Sequence, residues 1–207
     1  MKIAVIAANG RSGQAFVKEA LMAGHSVYAG SLTKGTLPPH PNLVEVVCDA
    51  TKEADLMKLI TGQDAVASFI GHVKGSAPDV QTKAIEKVVT VMESLGVSRI
   101  TSLTGTGCRF EGDKITVIDR FLNAAVSIID PNRIKDGLRH VEVLKQSQLE
   151  WTIIRVLKLQ NVSASSFVLR EHGPTKVYVS RDDVAIAVLE VLENHSFVRQ
   201  APIISSK

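Results

Sequence analysis

Short apolar runs alternate along the chain with longer segments of helical period. Ile3 to Ile6, Ser26 to Ala29, Leu43 to Val47, Ala65 to Ile70, Arg99 to Leu103 and Thr152 to Arg155 are apolar on both faces and short, the pattern of strands buried inside a sheet. The intervening segments carry helix punctuation. Gln14 to Ala23 stops at Gly24, a helix from Thr51 closes before Gly62, and one opened by Pro78 runs to Leu95 with Gly96 beyond it. Strands separated by helices cannot pair through tight hairpins, so the pattern predicts a largely parallel sheet with right-handed crossovers and helices on both faces. The expected fold is α/β, a doubly wound, mostly parallel sheet.

Beyond Leu103 the rhythm loosens. Gly105 to Asp113 reads as a Gly-rich connection, Ile115 to Ile129 and Arg133 to Ser147 as helices interrupted by Asp130-Pro131-Asn132. Val177 to Val179, a helix over Arg181 to Glu193 and an apolar stretch near Ile203 follow. Residues 1–207 are expected to form one domain, with residues 156–207 contributing a small C-terminal lobe over the carboxyl edge of the sheet. Ser180 and Asp183 have capping-box-like spacing, and Arg139 and Glu142 the spacing of a helical ion pair.

Composition narrows the partners. With 24 Lys plus Arg against 21 Asp plus Glu the net charge is only +3, and the basic residues are interspersed with acidic ones, so nucleic acid is not an expected partner. No run approaches the length of a membrane span, and Ile3 to Ala8 is too brief for a secretory core. Cys48 and Cys108 fit neither a disulfide framework nor metal spacing, which points to a reducing, cytoplasmic setting. The histidines show no metal-ligand spacing and no G-x-S-x-G elbow occurs, so neither metal nor hydrolase chemistry is expected.

The sharpest local signal is Ala7-Ala8-Asn9-Gly10-Arg11-Ser12-Gly13, between the first strand and a helix. A diphosphate requires backbone N–H groups at close approach and the positive end of a helix dipole, and Gly10 and Gly13 keep side chains out of that space. Ala8, Asn9, Gly10, Arg11, Ser12 and Gly13 are therefore candidate dinucleotide contacts. The second strand ends in Gly30-Ser31-Leu32-Thr33-Lys34, without the carboxylate that reads an unphosphorylated ribose. Ser31, Thr33, Lys34 and Arg11 can meet a 2′-phosphate, which tilts the cofactor toward NADP with NAD left open; Lys34 and Arg11 read equally as solvated surface charges. Asp49, with Ala50, ends the third strand either as an acceptor for adenine or as a helix-start acid.

Together these residues resemble the atypical short-chain dehydrogenase/reductase group, the NmrA-like NAD(P)H-binding proteins that include biliverdin-IXβ and flavin reductases. Lys2 to Gly13 resembles the family's K-I-x-V-x-G-A-T-G-x-x-G, Asp49 its strand-three G-D, and Gly62 to Val66 its G-x-D-A-V. Gly96 to Ile100 resembles G-V-x-R/K-I/V, Glu142 through Arg155 the stretch that ends in W/Y-T-x-x-R, and Tyr178 through Ala185 the closing V-S-x-x-D-V-A. Ala7 replaces the leading glycine, Leu32 falls where many NADP-dependent members carry arginine, and Val156 stands at the usual proline. The resemblance implies a Rossmann-like fold over the whole chain.

The Tyr-x-x-x-Lys pair of ordinary short-chain dehydrogenases is missing, since Tyr28 and Tyr178 are followed four residues on by Leu32 and Asp182. An enzyme of this kind still works by aligning a hydride donor with an acceptor that needs little proton assistance. Gly71, His72, Thr104 and Arg155, at the carboxyl ends of strands, are further candidate cofactor contacts. His72, Thr104 and Cys108, the last with a thiol beside Arg109, are candidates for chemistry; each also reads as a residue without a catalytic role. The expectation is an NAD(P)H-dependent reductase, monomeric or homodimeric, passing hydride to a flavin, quinone or similar planar or carbonyl substrate. The alternatives are a non-catalytic dinucleotide sensor of the NmrA-like type and an epimerase or reductase of a small metabolite.

Overall fold

The computed structural model describes residues 1–73 and 75–207. Along the chain run β1 (Lys2–Ile6), α1 (Arg11–Met22), β2 (Ser26–Ser31), β3 (Leu43–Val47), α2 (Glu53–Ile60), β4 (Ala65–Ser68), α3 (Val80–Leu95) and β5 (Arg99–Gly105). There follow α4 (Val117–Ile129), α5 (Pro131–Gln146), β6 (Glu150–Val156), β7 (Lys158–Gln160), β8 (Phe167–Arg170), β9 (Tyr178–Ser180), α6 (Arg181–Glu193) and β10 (Ile203–Ser206). Eight strands form one sheet in the order β3-β2-β1-β4-β5-β6-β10-β8, parallel except where β8 meets β10. The order reverses direction at β1, so the crevice beside β1 and β4 is the switch point at which doubly wound sheets bind ligands. The chain thus has the expected Rossmann-like α/β fold.

The strands are apolar on both faces because both faces are covered. Along β1, Ile3 and Val5 pack under α1 and α6, with Phe16, Val17, Val184 and Val188; Ala4 and Ile6 pack on the other side with Leu56, Ile85, Val88 and Leu144 of α2, α3 and α5. No helix links β2 to β3, where Pro38, Pro39 and Pro41 interrupt the chain. Two boundaries differ from expectation near the switch point. β4 stops at Ser68 rather than Ile70, and α1 starts at Arg11 rather than Gln14, which puts Gly13 inside its first turn.

Residues 156–207, expected as a lobe, divide in two: α6, β10 and β8 build into the main body, while β7 and β9 form a separate parallel ribbon. Helix α6 lies beside α1 and runs the same way. Their C-terminal ends are tied by a His25–Glu193 contact of 2.7 Å, and Arg99, at the start of β5, donates to the carbonyls of Val191 and Ser196 at the same edge. With 12 and 13 residues the helices are each about 18–20 Å long, so their N-termini reach the carboxyl edge side by side.

Helix α1 comes unusually close to β1. A Cβ on Gly13 would lie 2.4 Å from the Ala7 carbonyl oxygen and 2.8 Å from the Ala8 Cα, backbone atoms that cannot step aside. Ala7 makes the turn with φ 59°, a left-handed conformation that a Cβ disfavours by about 1–2 kcal/mol. This is where the resembled family has glycine. Ala7→Gly is therefore expected to stabilise the fold by about 1 kcal/mol, and Gly13→Ala to destabilise it by about 1–3 kcal/mol or more. Urea denaturation of both variants checks this; a less stable Ala7→Gly or a neutral Gly13→Ala contradicts the geometry.

Candidate functional site at the carboxyl edge

The turn from β1 into α1 is a cradle of backbone groups. The Ala8 N–H extends the β1–β2 ladder to the Gly30 carbonyl at 3.0 Å, and the Gly10 N–H donates to the Ala7 carbonyl at 3.1 Å. Gln14 Nε2 holds the Asn9 carbonyl at 2.8 Å. Gly10 caps the helix without any side-chain hydrogen bond, so the N–H groups of Arg11, Ser12 and Gly13 open the first turn without an acceptor inside the helix. Gly10 and Arg11 are exposed beside them. Close backbone approach, free N–H groups and a helix dipole at one point fit a diphosphate.

The N-terminus of α6 adds a second cation. Arg181 is the first residue of α6 as Arg11 is of α1, and its guanidinium donates to Asn161 Oδ1. Burial, and then the charge of Arg11, hold the Arg181 pKa below the usual arginine value. The two guanidinium groups are thus near enough for their like charges to oppose one another.

At the tip of β2, Ser31 is buried and its hydroxyl donates to the Thr33 carbonyl at 2.8 Å, so it turns into its own loop. Thr33 and Lys34 are exposed. The nearby Glu45 carboxylate accepts from the N–H groups of Gly35 and Thr36. Asp49 lies in the turn that precedes α2. It accepts from the Thr51 N–H at 3.0 Å and hydroxyl at 2.7 Å, bonds that hold its carboxyl below the usual carboxylate range. Ala50 is half-buried beside it.

Three expected crevice residues point elsewhere. Arg155 is fully buried and donates to the Ala201 carbonyl at 2.6 Å, the Cys108 carbonyl at 3.1 Å, the Glu171 carbonyl at 2.9 Å and both Asp113 oxygens at 2.5 and 2.8 Å. All of its nitrogens are engaged, so it ties the 105–113 loop to β6 and is not a cofactor ligand. Thr104 and Cys108 contact each other at 3.3 Å and are sealed beneath α5, where a Cβ on Gly137 would meet them at 2.9 and 3.0 Å. Burial pushes the Cys108 thiol up, outweighing the Thr104 hydrogen bond and the charges of Arg155 and Arg109. Arg109 instead pairs with buried Asp119, and of the two readings of Cys108 its surroundings favour the passive thiol.

Two smaller expectations also change. Glu142 meets Gln146 and Lys145, not Arg139. Ser180 caps α6 by accepting from the Asp182 N–H at 3.1 Å, while Asp183 reaches away to the N–H and hydroxyl of Ser165.

His72 does have a partner. Its Nε2 lies 2.8 Å from Asp136 Oδ2, a carboxylate buried in α5. Burial pushes the Asp136 carboxyl up, but hydrogen bonds from the Thr82 hydroxyl and N–H, the Gln81 N–H and His72 hold it below the usual range. The imidazole lines a cleft of about 430 Å³ shared with Val73, Ser76, Pro78, Asn132 and Arg133. Gly71 is exposed at its approach. Because β4 pairs with β1, and the Phe69 N–H donates to the Ile6 carbonyl at 3.0 Å, the loop carrying His72 starts beside the diphosphate cradle.

One turn along α5, His140 is buried against the Ser102 hydroxyl at 2.9 Å, and burial lowers its pKa to about 4. Asp136 and Arg181 were not singled out from sequence. For Asp136 a signal existed, since it shares the i, i+4, i+8 row of α5 with buried His140 and Leu144. Arg181 carries no such local signal. Among the described residues, no group of three or more His, Cys, Asp or Glu is placed to hold a metal ion, and no helix is long and apolar enough to cross a membrane.

Comparison with known proteins agrees with this geometry. The sequence profile of a family described as NAD(P)H-binding matches residues 7–195. Among solved structures, the oxidoreductase ylbE from Lactococcus lactis superposes with a TM-score of 0.84 at 18% identity, covering 100% of this chain and 91% of that one. A short-chain dehydrogenase/reductase from Veillonella parvula, in complex with NADP, gives 0.83 at 19% identity over 99% and 94%. A Streptococcus pneumoniae protein named, by inference, as an NADH-flavin reductase gives 0.80 at 22% identity over the whole of both chains.

Removing the buried cation tests the structural reading of Arg155. Arg155→Met strands the Asp113 carboxylate and is expected to destabilise the fold by about 3–5 kcal/mol. Burial pushes the Asp113 carboxyl up, but its bonds from Arg155 and Phe110 bring it below the usual value. Its contribution is therefore complete above about pH 4 and is lost as pH falls through the lower folded pKa. Denaturation between pH 7 and pH 3 should show a smaller acid-dependent loss in Arg155→Met; an unchanged acid slope contradicts this.

Proposed function

This chain belongs to the NAD(P)H-binding family, and on that premise we propose that it is a reductase passing hydride to a planar or carbonyl acceptor, such as a flavin or quinone, seated in the His72 cleft. The observation that carries this reading is that the loop after β4, which brings His72 to a cleft of about 430 Å³, leaves the sheet next to the strand β1 that ends in the Gly10–Gly13 cradle. When bound, the dihydronicotinamide supplies a hydride. The protein supplies alignment. The N–H groups of Ser12 and Gly13 receive the diphosphate, Arg11 and Arg181 neutralise it, and the loop of Gly71 and His72 bounds the space for the acceptor.

NADP is favoured over NAD because Arg11 and Lys34 are exposed, while the carboxylates nearest the end of β2 are engaged, Glu45 with the N–H groups of Gly35 and Thr36 and Asp49 with Thr51. Dinucleotide binding without turnover of any acceptor would identify the sensor alternative.

Calorimetric titration with NADPH and NADH tests the binding half. Gly10 is a better probe than Gly13, because its φ of −69° suits any residue and a Cβ there meets only the Ala7 oxygen, at 3.2 Å. Gly10→Asp is expected to fold at least as stably as the wild type, since Asp is a preferred helix cap, yet to bind either dinucleotide about a hundredfold or more weakly. Arg181→Gln should weaken both by about ten- to a hundredfold. NADPH should bind the wild type about tenfold or more tightly than NADH. No binding by folded wild type, or full affinity in Gly10→Asp, contradicts the cradle.

A further inference from the structure

We propose that Asp136 is the positioning residue that makes His72 the proton donor to the acceptor in the cleft, an inference that rests on the reductase reading above. Four donors fix the carboxylate. Oδ2 receives His72 Nε2 at 2.8 Å and the Gln81 N–H at 2.8 Å; Oδ1 receives the Thr82 N–H at 2.9 Å and the Thr82 hydroxyl. The side chain of Asp136 is 1% exposed and that of His72 is 7% exposed, so water does not compete for the bond. The same carboxylate caps the start of α3, so the imidazole is held by the α3–α5 frame rather than by its own loop.

The arrangement dictates where the proton sits. An ionised carboxylate only accepts hydrogen bonds, so Nε2 keeps its hydrogen in both protonation states. Protons therefore enter and leave His72 at Nδ1, the ring nitrogen not engaged by Asp136. In the reaction the electrophilic carbon or nitrogen of the acceptor takes the hydride and its two electrons. The π pair of the acceptor moves to the conjugated oxygen or nitrogen, the Nδ1–H bond breaks, and an O–H or N–H bond forms there. Neutral His72 then regains a proton from solvent.

Among the described residues, the other charged groups that line the cleft or stand at the start of α3 are paired or neutral. Asp130 meets Arg133 at 3.4 Å on the rim, Asp79 meets Lys83 at 3.1 Å at the start of α3, and His140, with a pKa of about 4, is neutral at physiological pH. Asp136 is thus the charge in direct contact with the imidazole.

Two readouts test this. Nitrogen-15 NMR of the histidine rings in the full chain should find neutral His72 protonated at Nε2 in the wild type and no longer held to that tautomer in Asp136→Asn. The high-pH limb of kcat/KM, measured with NADPH and a flavin, should differ between the wild type and Asp136→Asn, while the NADPH Kd stays at the wild-type value. His72→Asn should lose that limb and about a hundredfold or more in kcat. A neutral wild-type ring protonated at Nδ1, or the same tautomer in Asp136→Asn, overturns the role of Asp136. Wild-type turnover whose limb ignores both substitutions does the same and leaves the reductase reading standing. Absence of turnover with every acceptor, in a wild type that binds NADPH, overturns the reductase reading and the proton-donor role with it.

Discussion

The carboxyl edge of this protein depends on how closely α1 approaches β1. With no Cβ at Gly13, the first turn of the helix lies against the backbone of Ala7 and Ala8, and the left-handed turn at Ala7 brings the chain around in time to begin α1 at Arg11. That contact sets the direction of the first-turn N–H groups and places them beside the end of β4. A helix held farther off would still cover Ile3 and Val5 but would not bring its first-turn N–H groups against the end of β1. The same approach brings α1 alongside α6, with the His25–Glu193 contact at one end and Arg11 and Arg181 at the other.

Two buried carboxylates organise what surrounds this contact, in opposite ways. Asp113 meets a fully buried arginine and closes the loop after β5 against β6, with no group left over for a ligand. Asp136 meets a histidine that lines a cleft, and its other bonds go to the start of α3. Both are held ionised by several donors, as a buried charge requires. One locks the scaffold; the other anchors a titratable ring at a surface that a ligand can reach.

Much of this was legible from residue order. The strands announced themselves because Ile3 to Ile6 and Arg99 to Leu103 are apolar on both faces, and the cradle because Gly10 and Gly13 stand between strand and helix. Side-chain direction was not legible. Thr104, Cys108 and Arg155 do sit near the carboxyl ends of strands, but α5 packs over the first two at Gly137 and the 105–113 loop folds back onto the third. Those contacts join residues far apart in the chain. His72 and Asp136 are likewise 64 residues apart, so neither local period nor motif could pair them, although the buried row of α5 marked Asp136 as unusual.

The central claim is that the Gly10–Gly13 cradle and the His72 cleft are two parts of one reductive site. The most direct measurement is a crystal structure of the chain with NADPH bound. The account predicts the diphosphate within hydrogen-bond distance of the Ser12 and Gly13 N–H groups and the nicotinamide ring at the mouth of the His72 cleft. A diphosphate held elsewhere, or a nicotinamide turned away from His72, would contradict it.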